Sequence, residues 1–276
     1  MPVARPPPPP LRLSFPTFPA SAIFRAVFRN QKIVVVMPAY NAAQTLQRTY
    51  AEVMEQGIVD TIILVDDASR DDTAAIARTL PGVQVHVHPA NTGYGGNQKS
   101  CYGLALAAGA DIVIMLHPDY QYTPKLIPAM ASIIANGLHP CVLGSRILGG
   151  HALEGGMPLW KYVANRFLTL AENLLLGAKL SEYHTGYRAF SRQLLEAVDV
   201  RANSDDFVFD NQMLAQILWH GLTIGEVSCP TKYFPEASSI NFRRSVRYGF
   251  GCLGVGLQFR LARWGLAAPR LFPKNP

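Results

Sequence analysis

His117, Asp119 and Gln121 stand at every second position of the stretch His-Pro-Asp-Tyr-Gln, so in an extended backbone their side chains project to one side. One imidazole nitrogen, one carboxylate and one amide oxygen, completed by diphosphate oxygens, suit an octahedral Mn2+ or Mg2+ ion. A second element, Asp66-Asp67, is of the kind that accepts hydrogen bonds from a base or a ribose hydroxyl. A third, Asn91 to Gly96 with Lys99 one turn further on, offers backbone amides and a cation to a phosphate. Each has a structural alternative when taken singly. Asp67 and Ser69 fit helix caps, Asn91 and Gly93 fit turns, and His117 to Gln121 fits a surface turn.

The elements that must position these residues are readable from periodicity. Ile33–Met37, Thr61–Val65, Val83–Val87 and Ile112–Leu116 are β-branched-rich apolar runs, the signature of strands covered on both faces. Helices are expected between them: from Asn41, with Gln44 as its capping-box partner, to about Gln56; from Ser69, with Asp72, toward Leu80; over Gly95–Ala108; and from Thr123-Pro124 onward. Strands alternating with helices imply βαβ units and a mostly parallel central sheet flanked by helices, an α/β fold. The polar residues then fall just beyond successive strands, including Pro38, Tyr40 and Asn41 after the first, and that edge is where open parallel sheets bind ligands. Further on, Cys141–Leu143, Tyr187–Phe190 and Thr223–Val227 read as strands and Phe209–Trp219 as a helix. Pro158–Leu176 reads as a long helix with apolar positions Leu159, Val163, Phe167, Leu170 and Leu174.

Charge divides the chain. The 276 residues carry 25 Lys plus Arg, 19 Asp plus Glu and a net charge of +6. Four cations and no acid lie in residues 1–30, and seven cations (Arg243, Arg244, Arg247, Arg260, Arg263, Arg270, Lys274) follow the last acid, Glu236. The remaining 14 cations face all 19 acids between residues 31 and 242, an acidic body that disfavours a nucleic-acid-binding core. Residues 1–30 hold 8 of the 21 prolines and read as a disordered leader. The four cysteines are widely spaced without a CxxC pair, favouring neither zinc nor a disulfide framework and pointing to a reducing compartment. No apolar run is long enough to span a bilayer. Tyr248–Phe259 is an uncharged segment bounded by Arg247 and Arg260, either a membrane-interface element or a terminal helix packed on the core. Gly249, Gly251 and Gly254 spell G-x-G-x-x-G, but no strand precedes them and no acid follows, so a dinucleotide site is rejected.

Pro-Ala-Tyr-Asn at 38–41, Val-Asp-Asp-Ala-Ser-Arg-Asp-Asp-Thr at 65–73, Asn-Thr-Gly-Tyr-Gly at 91–95 and Asp119-Tyr120-Gln121 together resemble family 2 inverting glycosyltransferases of the GT-A fold. More narrowly they resemble the dolichyl- or polyprenyl-phosphate mannose synthase branch. Gly144-Ser145-Arg146, Thr185-Gly186-Tyr187-Arg188 and the stretch from Phe209-Asp210 to Glu226-Val227 extend that resemblance over about residues 32–235. It implies that Pro38, Tyr40, Asp66 and Asp67 line the base and ribose pocket, with Asn41, Asn91, Gly93 and Lys99 beside them. Asp119 and Gln121 are implied metal ligands and Asp210 the acidic catalytic position. His117 stands where the family usually has Asp, and imidazole is a competent ligand for Mn2+.

The implied reaction moves a sugar from GDP-mannose or a UDP-hexose to an acceptor with inversion. A polyprenyl phosphate acceptor needs cations, for which Arg146 and Arg188 are the candidates; a sugar hydroxyl of a glycan or glycolipid needs Asp210 as general base. A third reading keeps the fold as an inactive nucleotide-binding scaffold, motivated by His117. The expected setting is the cytoplasmic membrane face, the protein being peripheral, with a GT-A domain over residues 31–242 and a cationic, apolar tail over 243–276.

Overall fold

The computed structural model describes residues 28–231 and 242–273; most of the expected leader lies outside them. Seven strands form one sheet: β1 (Ile33–Ala39), β2 (Thr61–Asp66), β3 (Val83–Val87), β4 (Ile112–Met115), β5 (Cys141–Ser145), β6 (Arg188–Ser191) and β7 (Ile224–Ser228). Their order is β3-β2-β1-β4-β6-β5-β7. β3, β2, β1 and β4 run parallel, β6 is antiparallel to both β4 and β5, and β5 is parallel to β7. Reversal at β6 brings its amino end, with Gly186 and Tyr187, to the same edge as the carboxyl ends of the others.

The helices are α1 (Leu46–Glu55), α2 (Thr73–Thr79), α3 (Tyr94–Ala107), α4 (Ile127–Ala135), α5 (Leu159–Leu176), α6 (Arg192–Ala197), α7 (Phe209–Trp219) and α8 (Phe242–Arg263). Alternate strand residues feed opposite layers. Val34, Val36, Ile63, Val65, Val113 and Met115 pack with Cys101, Phe209, Met213 and Val255, whereas Val35, Met37, Ile62, Leu64, Ile112 and Ile114 pack with Leu46, Ala77, Met130 and Ile134. Cover on both faces is why these strands read as unbroken apolar runs. β3 departs from that expectation. It is an edge strand with no fully buried residue.

Two helix starts also differ. Asn41 adopts a left-handed φ of 52°, donates its N–H to Ser69 Oγ and accepts from Arg70 N–H, so it ties two loops together and α1 begins five residues later. Ser69 donates to Asp66 rather than capping, and α2 starts at Thr73. Thr123 does cap, accepting from Lys125 N–H ahead of Pro124, but the first turn is a 3-10 helix.

α5 is packed inside out. Its expected core positions Leu159, Val163, Phe167, Leu170 and Leu174 are 57–70% exposed, while Asn165, Thr169 and Glu172 are buried. The buried polar face meets polar partners from elsewhere, although Glu172 Oε2, His184 Nε2 and Asn211 Oδ1 make no hydrogen bond among the described residues. Asn165 donates to Glu182 (2.8 Å), Asn211 donates to Glu172, His184 Nε2 lies 3.2 Å from Glu172 Oε2, and Asn173 accepts from Tyr183 (2.9 Å) and from the Leu180 N–H. α8 runs parallel to α5, and its glycines allow the approach. A Cβ on Gly256 would stand 2.8 Å from Leu175, one on Gly249 3.4 Å from Leu168, and one on Gly251 2.5 Å from Val208. Gly249 and Gly251 of the G-x-G-x-x-G spelling are therefore packing contacts, while Gly254 has open space around it. Val255 and Phe259 bury α8 in the core with Leu271 and Phe272, and Cys252 is also buried, so this part of the chain shares one core with the sheet.

Candidate active site

A cavity of about 640 Å3 opens at the sheet edge where the strand ends collect, a volume suited to a small-molecule ligand. Of the residues anticipated there, Pro38, Tyr40, Asn41, Asp67, Asn91, Gly93, His117, Asp119, Gln121, Arg146 and Asp210 line it. Tyr40 is an exposed ring at the end of β1. Asp66, Lys99 and Arg188 do not line it, and their partners explain why.

Asp66 is buried and its carboxylate accepts from Ser69 N–H and Oγ–H. Asp67, also buried, holds the loop after β3: Oδ1 accepts from Thr92 N–H and hydroxyl (both 2.8 Å) and sits 2.8 Å from His88 Nδ1, while Oδ2 accepts from Gly93 N–H at 3.0 Å. The amides expected to meet a phosphate are thus already used. Gly95 and Gly96 donate theirs to the Asp205 carbonyl (2.8 and 3.3 Å), and Lys99 donates to the Asn203 carbonyl and Asp205 Oδ1. The Asn91–Lys99 stretch is a clamp on the 203–206 loop that leads into α7 and Asp210. Gly95 is obligatory in it, since a Cβ would lie 2.3 Å from the Ser204 carbonyl oxygen.

Asp210 lies in the first turn of α7, where the helix dipole favours its charge. Tyr94 donates to Oδ2 at 2.6 Å, Gln98 donates to Oδ1 at 3.1 Å, and Arg188 Nη1 is 3.6 Å from Oδ1. Burial, then the Asp210 charge, push the Tyr94 phenol far above its ordinary range, so its proton stays on oxygen. With that proton given to Asp210, Tyr94 presents lone pairs to His117 Nε2 at 3.3 Å. With Nε2 facing Tyr94, Nδ1 is the ring nitrogen left for a metal. The backbone from Pro118 to Gln121 is a turn rather than the expected extended segment, so alternation does not align the three side chains; His117, Asp119 and Gln121 nevertheless line the same cavity, and a ring nitrogen, a carboxylate and an amide oxygen are donors a hard divalent ion accepts. α1 steadies the turn that carries them: Thr45 donates to the Pro118 carbonyl (2.5 Å), Arg48 lies 3.7 Å over the Tyr120 ring, and Tyr120 donates to Glu52. Tyr120 itself has φ 60°, the kind of strained backbone that clusters at functional sites.

Arg188 is fully buried. Nε donates to the Thr185 carbonyl, Nη1 to the Asp210 carbonyl and Nη2 to the Tyr183 carbonyl, at 2.8–2.9 Å. As an acceptor-phosphate ligand it is out of place; it positions Asp210. Arg146 instead reaches the pocket, braced by Glu182 and the His184 carbonyl. Burial alone would raise the Glu182 carboxyl, but the adjacent Arg146 guanidinium and its hydrogen bonds bring it below the ordinary carboxylate range. Opposite the strand ends, the pocket is closed by Trp160, Lys161 and Asn165 of α5 and by Arg244, Ser245 and Tyr248 of α8. Burial and then the nearby Arg146 charge lower the Lys161 pKa. These residues escaped sequence reasoning; the one signal was the proximity of Lys161 and Asn165 to an apolar helical stripe.

The family model described as glycosyl transferase family 2 matches residues 34–199. The chain is 29% identical over 220 residues to the UDP-N-acetylglucosamine–dolichyl-phosphate N-acetylglucosaminyltransferase of Methanococcus voltae, covering 74% of this chain and 87% of that protein. It is 26% identical over 242 residues to the undecaprenyl-phosphate mannosyltransferase of Micrococcus luteus, covering 86% and 95%. Glucosyl-3-phosphoglycerate synthase of Mycobacterium tuberculosis, solved with Mn2+, UDP and glucosyl-3-phosphoglycerate, superposes with a TM-score of 0.67 at 18% identity, covering 92% of this chain and 88% of that one.

Proposed function

This chain belongs to glycosyl transferase family 2, and from that premise we propose that it moves a sugar from a nucleotide-diphosphate donor to a polyprenyl phosphate, inverting the anomeric centre. The two dolichyl- and undecaprenyl-phosphate relatives favour the acceptor. The observation that carries it is in the pocket itself: two cations, Arg146 at the end of β5 and Lys161 on α5, line the same cavity, and burial followed by the Arg146 charge lowers the Lys161 pKa. A bound phosphate removes that repulsion and gains charge-assisted hydrogen bonds.

Tyr40, which lines the cavity with Asp67, Asn91 and Gly93, would contact the base. His117, Asp119 and Gln121 would hold Mn2+ or Mg2+, which supplies Lewis-acid charge to the departing diphosphate. As the anomeric C–O bond breaks, positive charge grows on the sugar, and the buried, donor-held Asp210 carboxylate lines the same cavity. An acceptor phosphate oxygen then forms the new bond from the opposite side, oriented by Arg146 and Lys161. That nucleophile is already anionic and needs no base, in keeping with an Asp210 whose two oxygens are occupied by Tyr94, Gln98 and Arg188.

Lys161→Met tests the assignment. It is expected to raise the KM for polyprenyl phosphate about tenfold or more and to leave the donor KM in place. A raised donor KM with an unchanged acceptor KM would assign these cations to the donor diphosphate instead.

A further inference from the structure

α5 presents an apolar face outward. At 3.6 residues per turn, Leu159, Val163, Phe167, Leu170 and Leu174 fall within about 80° of arc, and all five are exposed. No polar residue falls within that arc; Asn165, Thr169 and Glu172 occupy the buried side, and Arg166 flanks the arc, donating to the Ser181 carbonyl. The neighbouring α8 repeats the pattern. Val246, Phe250 and Leu257 are exposed and fall within about 40° of one another. The contacts of Gly249 with Leu168 and Gly256 with Leu175 fix the two helices side by side, so Phe250 stands level with Phe167 and Leu257 with Leu174. A contiguous apolar surface of this kind marks an interaction site.

We infer that the outward faces of α5 and α8 form one docking surface for an anionic lipid bilayer, seated at the boundary between headgroups and acyl chains. This rests on the reading of a polyprenyl phosphate acceptor, and it extends the membrane contact anticipated in the tail to α5, a helix expected to face the core. Charge selects the occupant. Arg243, Arg244 and Arg247 open α8, Arg260 donates to the Leu174 carbonyl at the far end of α5, and no acid follows Glu236. The one acid of α5, Glu172, is buried. A second copy of the chain docking on this face would set cations against cations, whereas anionic headgroups complement them. Position agrees, since both helices begin at the pocket: Trp160 and Lys161 of α5, Ser245 and Tyr248 of α8 line it. Among the described residues no helix is long and apolar enough to cross a membrane, so the contact is interfacial. With these faces on the bilayer, the pocket mouth meets the surface where a polyprenyl phosphate headgroup resides.

The experiment is flotation of the full chain with vesicles of phosphatidylglycerol and phosphatidylcholine, against pure phosphatidylcholine, for wild type and for Phe167→Glu/Leu174→Glu. Neither substituted residue lines the pocket, and both are on the surface, so an unchanged unfolding midpoint establishes that the variant is folded; Phe167→Ser/Leu174→Ser serves if it is not. Wild type is expected to float with anionic vesicles, and the variant to lose about tenfold or more in vesicle affinity. Turnover on a short-chain, water-soluble prenyl phosphate is expected to be the same in both, while turnover on long-chain acceptor in vesicles falls. Equal vesicle binding by wild type and variant overturns the docking surface even if lipid phosphate is glycosylated. Vesicle binding that depends on the stripe upholds it even if no lipid phosphate is glycosylated. A wild-type dimer that the double substitution splits, with vesicle binding unaffected, overturns it in favour of self-association.

Discussion

Replacing Arg188 by Met separates a scaffold role from a substrate-binding one. Its guanidinium is fully buried, donates to three backbone carbonyls at 2.8–2.9 Å and lies 3.6 Å from the Asp210 carboxylate. Burial is the largest influence and pulls its pKa down, but the Asp210 charge together with Tyr94, Tyr102 and Tyr248 raises it above the ordinary arginine value. Methionine fills much of the volume yet leaves Asp210 buried with Tyr94 and Gln98 alone, and strands the carbonyls of Tyr183, Thr185 and Asp210. Breaking a buried pair on one side costs about 3–5 kcal/mol. The lost carbonyl bonds belong to the same event and are not added to it. For a urea m-value near 3 kcal/mol/M, the unfolding midpoint falls by about 1–2 M. Circular dichroism during urea titration measures this. A midpoint within about 0.3 M of wild type, accompanied by a raised KM for acceptor, would refute the reasoning and return Arg188 to the substrate.

Gly95→Ala is expected to cost about 1–3 kcal/mol and to depress activity, because its Cβ would press on Ser204 and Phe209 and displace the approach to Asp210. Gly103→Ala, exposed on α3 with nothing near its Cβ, should stabilise by about 0.5–1 kcal/mol; urea titration of both checks the contrast. The lowered Lys161 pKa means its positive charge is present below that pKa and lost as pH rises through it. The acceptor KM should therefore rise at alkaline pH before the ordinary lysine range is reached, and Lys161→Arg should flatten the profile. Titration calorimetry of UDP and GDP with and without Mn2+ checks the metal ligands: nucleotide affinity should rise with Mn2+, and His117→Ala together with Gln121→Ala should remove the increase.

The strand runs and the polar residues at their ends were readable because a strand covered on both faces leaves an apolar signature and its end leaves a polar one. Periodicity also located α5, but an amphipathic helix does not declare which face is inside. That was decided by Glu182, His184 and Asn211, which lie far from their α5 partners along the chain and become partners only after folding. The Asn91–Gly96 amides illustrate the same limit. Their types suited a phosphate, yet Asp67 and Asp205 reach them first. Arg188 carried the right chemistry for a phosphate and the wrong location, since the reversal of β6 directs it into the core behind Asp210.

The most direct measurement is transfer itself. Purified protein is incubated with labelled GDP-mannose or a UDP-hexose, polyprenyl phosphate and Mn2+, followed by solvent extraction and NMR of the anomeric centre of the product. The account predicts a lipid-extractable glycosyl phosphate of inverted configuration, formed with at least one donor and lost in the Lys161→Met variant at low acceptor concentration. No lipid-extractable product with any donor, alongside transfer to a sugar hydroxyl, would contradict it.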